Sequence, residues 1–237
     1  MPFGYRYGYY FDPTYLLVLI GALISMFASM RVKTTFHKYA GMRSRTNMTG
    51  AQAAQRVLNS AGIYDVRIQH VAGELTDHYN PRNKTLNLSD SVYGSTSVAA
   101  VGVAAHECGH AIQHQQGYSP LSIRSALVPV ANFGSAAAWP LIILGIIFGG
   151  AGNIFCRIGI LFFSAAVLFQ LVTLPVEFNA SSRAVRILGD TGILSEQELP
   201  YTRKVLKAAA LTYVAGAAAA ILQLLRLLLL FGGRDRD

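Results

Sequence analysis

The sequence predicts a mainly α-helical membrane protein of about four transmembrane helices, with a small α+β domain on its cytoplasmic side. Three observations carry that expectation. Of the 237 residues, 52% are hydrophobic and only 14% are charged, against about 25% charged in an ordinary soluble domain. The apolar residues fall into four blocks, Thr14–Met30, Ala126–Gly149, Ile158–Val176 and Ala208–Phe231, each about the length that crosses ~30 Å of hydrocarbon as a helix. The basic residues are unevenly placed. Ten Lys/Arg lie between Arg31 and Arg124 and five between Arg183 and Lys207, against Arg6 in one tail and Arg234 and Arg236 in the other. Loops rich in Lys/Arg stay in the cytoplasm, so both longer segments are expected there and both termini outside.

The elements follow in chain order. Residues 1–13 form an exterior tail rich in Tyr and Gly. Residues 14–30 are the first span, a retained anchor rather than a signal peptide, because no basic n-region or small-x-small cleavage site accompanies them. Residues 31–125 are the cytoplasmic domain. In it, Thr49-GAQAAQRVLNSAGI reads as a helix capped by Thr49 and stopped at Gly62. Val66-RIQHVA reads as a strand, and Leu75-TDHYNPRNKTLNLS as a hairpin turning at Asn80–Asn83 with Leu86 and Leu88 on one face. A helix follows and ends near Gly117. Residues 126–149 and 154–176 are the second and third spans, joined by a short exterior loop. Residues 177–207 return to the cytoplasm as a helical segment that Gly189 interrupts. Residues 208–231 are the fourth span and 232–237 an exterior tail.

Several function classes drop out. The net charge of +8 is explained by membrane orientation, and no basic-aromatic module accompanies it, so nucleic acid is not an expected partner. No Asp, Glu or His falls inside a span, which argues against a cation transporter. Arg157 and Arg226 lie near the outer ends of their spans, where they can snorkel. Cys108 and Cys156 fall on opposite sides of the membrane in this topology, which argues against a disulfide.

The chemistry is concentrated in Ser97-VAAVGVAAHECGHAIQHQQ-Gly117. His106 and His110 are four apart, so on a helix they share one face and can grip one metal ion. Glu107 lies beside them, placed to act on a water held by the metal. This is the HExxH arrangement of zinc-dependent peptidases, and it makes the cytoplasmic domain zincin-like. Cys108 points off the ligand face. A catalytic zinc needs a third protein ligand and one open position. His114 lies one more turn along the same helix, too far round to join a tetrahedral site. Gln113 and Gln116 replace the Gly and His of the longer HExxHxxGxxH motif. Among the later carboxylates, Glu177 is the first charge that the third span delivers to the face where the HExxH helix ends. A carboxylate abutting an apolar span is costly unless paired, and zinc would pair it. The expected metal set is therefore His106, His110 and Glu177, holding one zinc ion per chain.

The segments Asp77-HYNP, Leu86-NLS, Ser97-VAAVGVAAHECGHAIQ and Pro175-VEFNASSRA together resemble the YugP-like zinc metallopeptidases, small bacterial membrane proteins. More distantly, HExxH followed by Glu on a later helix resembles the gluzincin plan of HtpX-type and prenyl-protein peptidases. There the Glu opens a Glu-x-x-Ala-Asp motif. Glu177 and Ala180 match it, but Ser181 replaces the Asp, and Asn179, Ser181 or Arg183 is expected to supply the missing outer contact.

The expected function is a multi-pass zinc endopeptidase of the cell membrane. Glu107 serves as general base, and Arg183, Tyr79 or Tyr201 as oxyanion donor. The expected substrates are membrane-associated or cytoplasmic proteins or peptides, cleaved at the cytoplasmic surface of the bilayer. An edge strand ahead of the HExxH helix would hold an extended peptide by main-chain bonds. The small-residue faces at Gly134-SAAAW and Val214-AGAAAA leave room for a homo-oligomer or a regulatory membrane partner. The alternative is a zinc-stabilised membrane scaffold or adaptor without catalysis, for which Glu107 would have no task.

Overall fold

The computed structural model describes residues 12–149 and 153–231. Most of the expected exterior N-terminal tail, all of the C-terminal tail and most of the loop between the second and third spans lie outside these. The described chain is mainly helical. Four helices are long and apolar enough to cross a membrane: α1 (Tyr15–Ala40), α4 (Ser119–Gly149), α5 (Ile154–Asp190) and α6 (Leu199–Phe231). Between α1 and α4 lie α2 (Gly50–Ser60), β1 (Arg67–Val71), β2 (His78–Asn80), β3 (Thr85–Ser89) and α3 (Val98–Gln115).

The long helices outrun the apolar blocks. Hydropathy marks where a helix meets lipid, but its backbone ladder continues for as long as the residues tolerate it. Hence α5 runs unbroken through Glu177 and Gly189 to Asp190, where a separate segment was expected, with Pro175 inside it. Likewise α1 continues ten residues past Met30.

The helices pack as two antiparallel pairs. In α4 and α5, Gly134 faces the Phe162 backbone and Gly159 faces Ala138 and Ile142. In α1 and α6, Gly21 meets Ala219, and Tyr39 stacks on Tyr201 at 5.4 Å. Eighteen residues separate these contacts in each helix, so one register holds along the pair. The end of this pair opposite Tyr39 and Tyr201 is tied by Arg226, which donates to the Thr14 hydroxyl at 3.2 Å, pairs with Asp12 at 3.5 Å and lies over the Tyr15 ring. An arginine expected to snorkel is thus also a clamp. Leu16, Leu19, Leu23 and Phe27 of α1 and Phe133, Ile147 and Phe148 of α4 are exposed, as a bilayer contact requires.

The small α+β part builds outward from its sequence signals. Thr49 and Gln52 form a reciprocal capping box on α2, and Gly62 follows the helix in the left-handed region at φ 71°. The three-stranded sheet has the order β1-β3-β2. β1 is parallel to β3 and β2 antiparallel to it. β3 is therefore central and buried along its whole length. Leu86 and Leu88 face the core. On the opposite face Ser89 donates from both its N–H and its hydroxyl to Asp77, and Asn87 bonds His78. The strand just ahead of α3 is thus not an edge strand; β1 and β2 are, and β2 lies against α3.

α3 is the centre of this core. Ser97 caps it, accepting from the Ala100 N–H. Thirteen of its eighteen residues are buried, because α2, the sheet, α5 and α6 all pack on it. The segment before α6 is clipped to the chain after α1. Glu198 accepts from the N–H groups of Arg45 and Ser195, and Thr202 donates to the Val98 carbonyl.

Candidate metal centre

Two glycines decide how closely α3 meets its neighbours. A Cβ on Gly102 would press on Thr202 of α6 at 2.5 Å, and one on Gly109 would lie 2.7 Å from the Ala180 carbonyl oxygen and 3.1 Å from its Cα. Gly109, between Cys108 and His110, thus lets the Glu177–Ser181 turn of α5 lie directly on the histidine face. Gly109→Ala must push the α5 backbone away, since no flexible side chain is there to yield. The expected cost is about 1–3 kcal/mol of stability, together with a loss of zinc affinity. Thermal unfolding and zinc titration check it, and Cys108→Ala, whose thiol points to the Ala54 carbonyl, is the control.

That approach brings three ligand-type side chains together. Glu177 Oε2 lies 3.3 Å from His106 Nε2 and 3.6 Å from His110 Nε2. One ligand atom from each of the three residues falls within 4.8 Å of the others. The imidazoles stand nearly perpendicular, 4.9 Å between centroids. Glu177 is 2% exposed, and its Oε2 is buried with no hydrogen-bond partner. An orphaned carboxylate oxygen aimed at two imidazole nitrogens fits a divalent cation, since burying it without a partner is costly.

The outer contacts fit as well. His110 Nδ1 lies 3.0 Å from Gln113 Oε1, an acceptor only. That nitrogen therefore carries the proton, and Nε2 presents its lone pair to the site. His106 Nδ1 lies 3.1 Å from the Ser181 hydroxyl. Gln113 is held in turn by donating to the Val176 carbonyl at 2.9 Å and to Asn179 Oδ1 at 3.0 Å. Arg183 donates to the same Asn179 oxygen and to Gln116. The work expected of one Asp at position 181 is thus divided between Ser181 on His106 and the Asn179–Gln113 relay on His110. Ser181→Ala removes one of these contacts, and zinc affinity is expected to fall about 10–100-fold with little change in melting temperature. An unchanged zinc affinity would mean the Ser181 contact is idle.

Burial disfavours charge on His110, but the Glu177 carboxylate outweighs it and the pKa is raised. Burial likewise opposes ionisation of Glu177, and the two facing imidazoles overcome it, so that carboxyl is held well below its usual range.

Glu107 is buried and points to the other side of the ligand face. Its Oε2 accepts from the Tyr79 backbone N–H at 3.0 Å. Tyr79 pairs with Leu86 across the hairpin, so edge strand β2 directly positions Glu107. A cavity of about 120 Å³ opens there, lined by Asp77, Tyr79, Glu107, His110, Arg124, Glu177 and Tyr213 among others. Asp77 has a raised pKa from burial, which its bonds from Ser89 only partly offset.

The three expected oxyanion donors all have other partners. The Tyr79 hydroxyl bonds His114 Nδ1 at 2.9 Å, so that oxygen is engaged away from the metal set, and burial pushes its pKa up to about 12. Tyr201 is stacked on Tyr39. Arg183 is spent on Asn179, Gln116 and the Tyr118 ring. None of these three hydroxyl or guanidinium groups is poised as an oxyanion donor. Two residues that sequence reasoning missed line the cavity beside Glu107 and Glu177. Arg124 Nη2 lies 3.9 Å from Glu177 Oε1, and its Nε is buried without a partner. Tyr213 of α6 lines the same cavity. Arg124 looked like an ordinary membrane-flanking cation and Tyr213 like one more aromatic in an apolar block.

Two histidines and a carboxylate around one point, with a second carboxylate beside them, are the residue types that a zinc metallopeptidase requires. The chain belongs to the family described as "Putative neutral zinc metallopeptidase", which matches residues 14–232. It is 46% identical over 225 residues, 94% of this chain and 99% of the relative, to "Putative membrane protease YugP" of Bacillus subtilis (strain 168). No solved structure matches it. Zinc is accordingly the metal of this family, and the protein is membrane-associated.

Proposed function

We propose that the protein is an integral-membrane zinc endopeptidase of the gluzincin plan, with the α+β part as a zincin-like catalytic domain. His106, His110 and Glu177 hold the ion and Glu107 is the general base. The observation that carries this is Glu177 arriving on α5 with an unsatisfied Oε2 between the two imidazoles. When bound there, zinc supplies the charge that lowers a water's pKa toward about 7 and polarises the scissile carbonyl. The Tyr79 N–H occupies Glu107 Oε2, so Oε1 takes the proton of the attacking water. As the water oxygen bonds to the carbonyl carbon, Arg124 and Tyr213 offer donors to the carbonyl oxygen. Glu107 then returns the proton to the amide nitrogen as the C–N bond breaks. An extended substrate lies along β2, its backbone bonding to the outer edge of that strand.

The reading places domain 31–125 and segment 177–207 in the cytoplasm and both termini outside, on the strength of the basic residues. Substrates are then membrane-associated or cytoplasmic proteins met at the membrane surface. A non-catalytic scaffold would have no use for a carboxylate beside an open cavity. The test is cleavage of a protein substrate by the full-length protein in liposomes. Chelation with 1,10-phenanthroline is expected to abolish cleavage, and one equivalent of Zn²⁺ per chain to restore it. Undiminished cleavage after complete zinc removal contradicts the proposal.

A further inference from the structure

The α1–α6 pair carries a second feature unrelated to peptide hydrolysis. Where both helices leave their apolar blocks, a groove of about 470 Å³ opens between them. Its walls carry four cations, Arg31 and Lys38 from α1 and Lys204 and Lys207 from α6. Among the described residues none of the four has a carboxylate partner. Like charges gathered without counter-charge repel, and an anion between them would relieve that repulsion.

Two of the cations are fixed. Tyr39 lines the groove at its end away from the membrane and stacks on Tyr201. Lys38 Nζ lies 5.6 Å from the centroid of one ring and Lys204 Nζ 5.9 Å from that of the other, each held by the negative face of the aromatic. Toward the membrane the groove becomes apolar at Ala208 and Leu211. Arg31 directly follows the charge-free run of α1, and Lys207 directly precedes that of α6. Arg31 and Lys207 therefore stand at headgroup depth, with Lys204 about one turn and Lys38 about two turns farther out and the apolar floor at acyl-chain depth.

We propose that this groove binds the headgroup phosphate of an anionic phospholipid, with an acyl chain running down past Leu211. A free anion would need only the charges. The graded change from cationic wall to apolar floor, in line with the ends of two spans, suits an amphiphile.

The test uses full-length protein, delipidated in detergent and titrated with phosphatidylglycerol, phosphatidylcholine or inorganic phosphate, with bound molecules counted by native mass spectrometry. Lys38 and Lys204 are the residues to change, because Lys207 also lines a neighbouring cleft that includes Ser181. One phosphatidylglycerol per chain is expected to bind in preference to phosphatidylcholine. The double variant Lys38→Gln/Lys204→Gln should weaken that binding about 30-fold, and Lys38→Arg/Lys204→Arg should retain it. Equal binding of the two lipids by the wild-type protein overturns the proposal. So does wild-type phosphatidylglycerol affinity in the glutamine variant, or displacement of the lipid by an equal concentration of inorganic phosphate.

Discussion

Glu107→Gln is expected to keep a full complement of zinc and to lower the rate of peptide hydrolysis by at least about 10²–10⁴-fold, the usual contribution of a positioned proton-transfer group. The substitution is nearly isosteric. The amide oxygen can still accept from the Tyr79 N–H, where Glu107 Oε2 accepts at 3.0 Å, so the packing of β2 on α3 survives. The amide then turns its NH₂ to the cavity, where a proton acceptor is required. None of the three metal-set side chains is altered, so zinc content measured by elemental analysis stays at one per chain. Cleavage at the wild-type rate by the zinc-loaded variant would place the general base elsewhere. Loss of zinc would make Glu107 a ligand instead.

Glu177→Gln has the second large effect, and on a different observable. Glu177 supplies the only negative charge among the three clustered residues, and an amide cannot replace it toward a divalent ion. Zinc affinity is expected to fall by more than about 100-fold, beyond what loss of an outer contact causes. Activity is lost with it at limiting zinc. The fold should persist, because the groups facing Glu177 are two histidines that can be neutral, the Tyr213 hydroxyl and Arg124, which is part-exposed. Competition with a chromophoric chelator reads the affinity, and far-ultraviolet circular dichroism with a melting curve reads the fold. A variant that binds zinc as tightly as wild type would exclude Glu177 from the metal set.

Much of this architecture is legible before any coordinates. Four apolar blocks, with Arg226 the one charge inside them, in a chain with 14% charged residues leave few alternatives to four long helices. The α2 cap is written in Thr49 and Gln52, and the hairpin turn in Asn80–Asn83. The meeting of His106, His110 and Glu177 follows from a topology in which two apolar helices return the chain to its starting face. The rest depends on contacts that no spacing encodes. Helix ends were hidden because polar residues past a span, such as Asn179 and Arg183, continue the helix as readily as apolar ones. The central place of β3 was hidden because Thr85, Asn87 and Ser89 look solvent-facing, yet they are buried by bonds to one another and to Asp77 and His78. Gln113 looked like the wrong residue for a longer metal motif. It is the group that sets the tautomer of His110, a role readable only once α5 is known to cross α3 at Gly109. Arg124 and Tyr213 come from helix segments whose sequence signal is membrane insertion, which masks any second use.

The central claim is that HExxH is half of a site completed by Glu177. A crystal of the zinc-loaded protein, with an anomalous difference map collected at the zinc edge, tests it most directly. One peak is expected among His106 Nε2, His110 Nε2 and the Glu177 carboxylate, with no fourth protein ligand and Glu107 beside it but unbound. A peak that excludes Glu177, or one closed by a fourth side chain, contradicts the account.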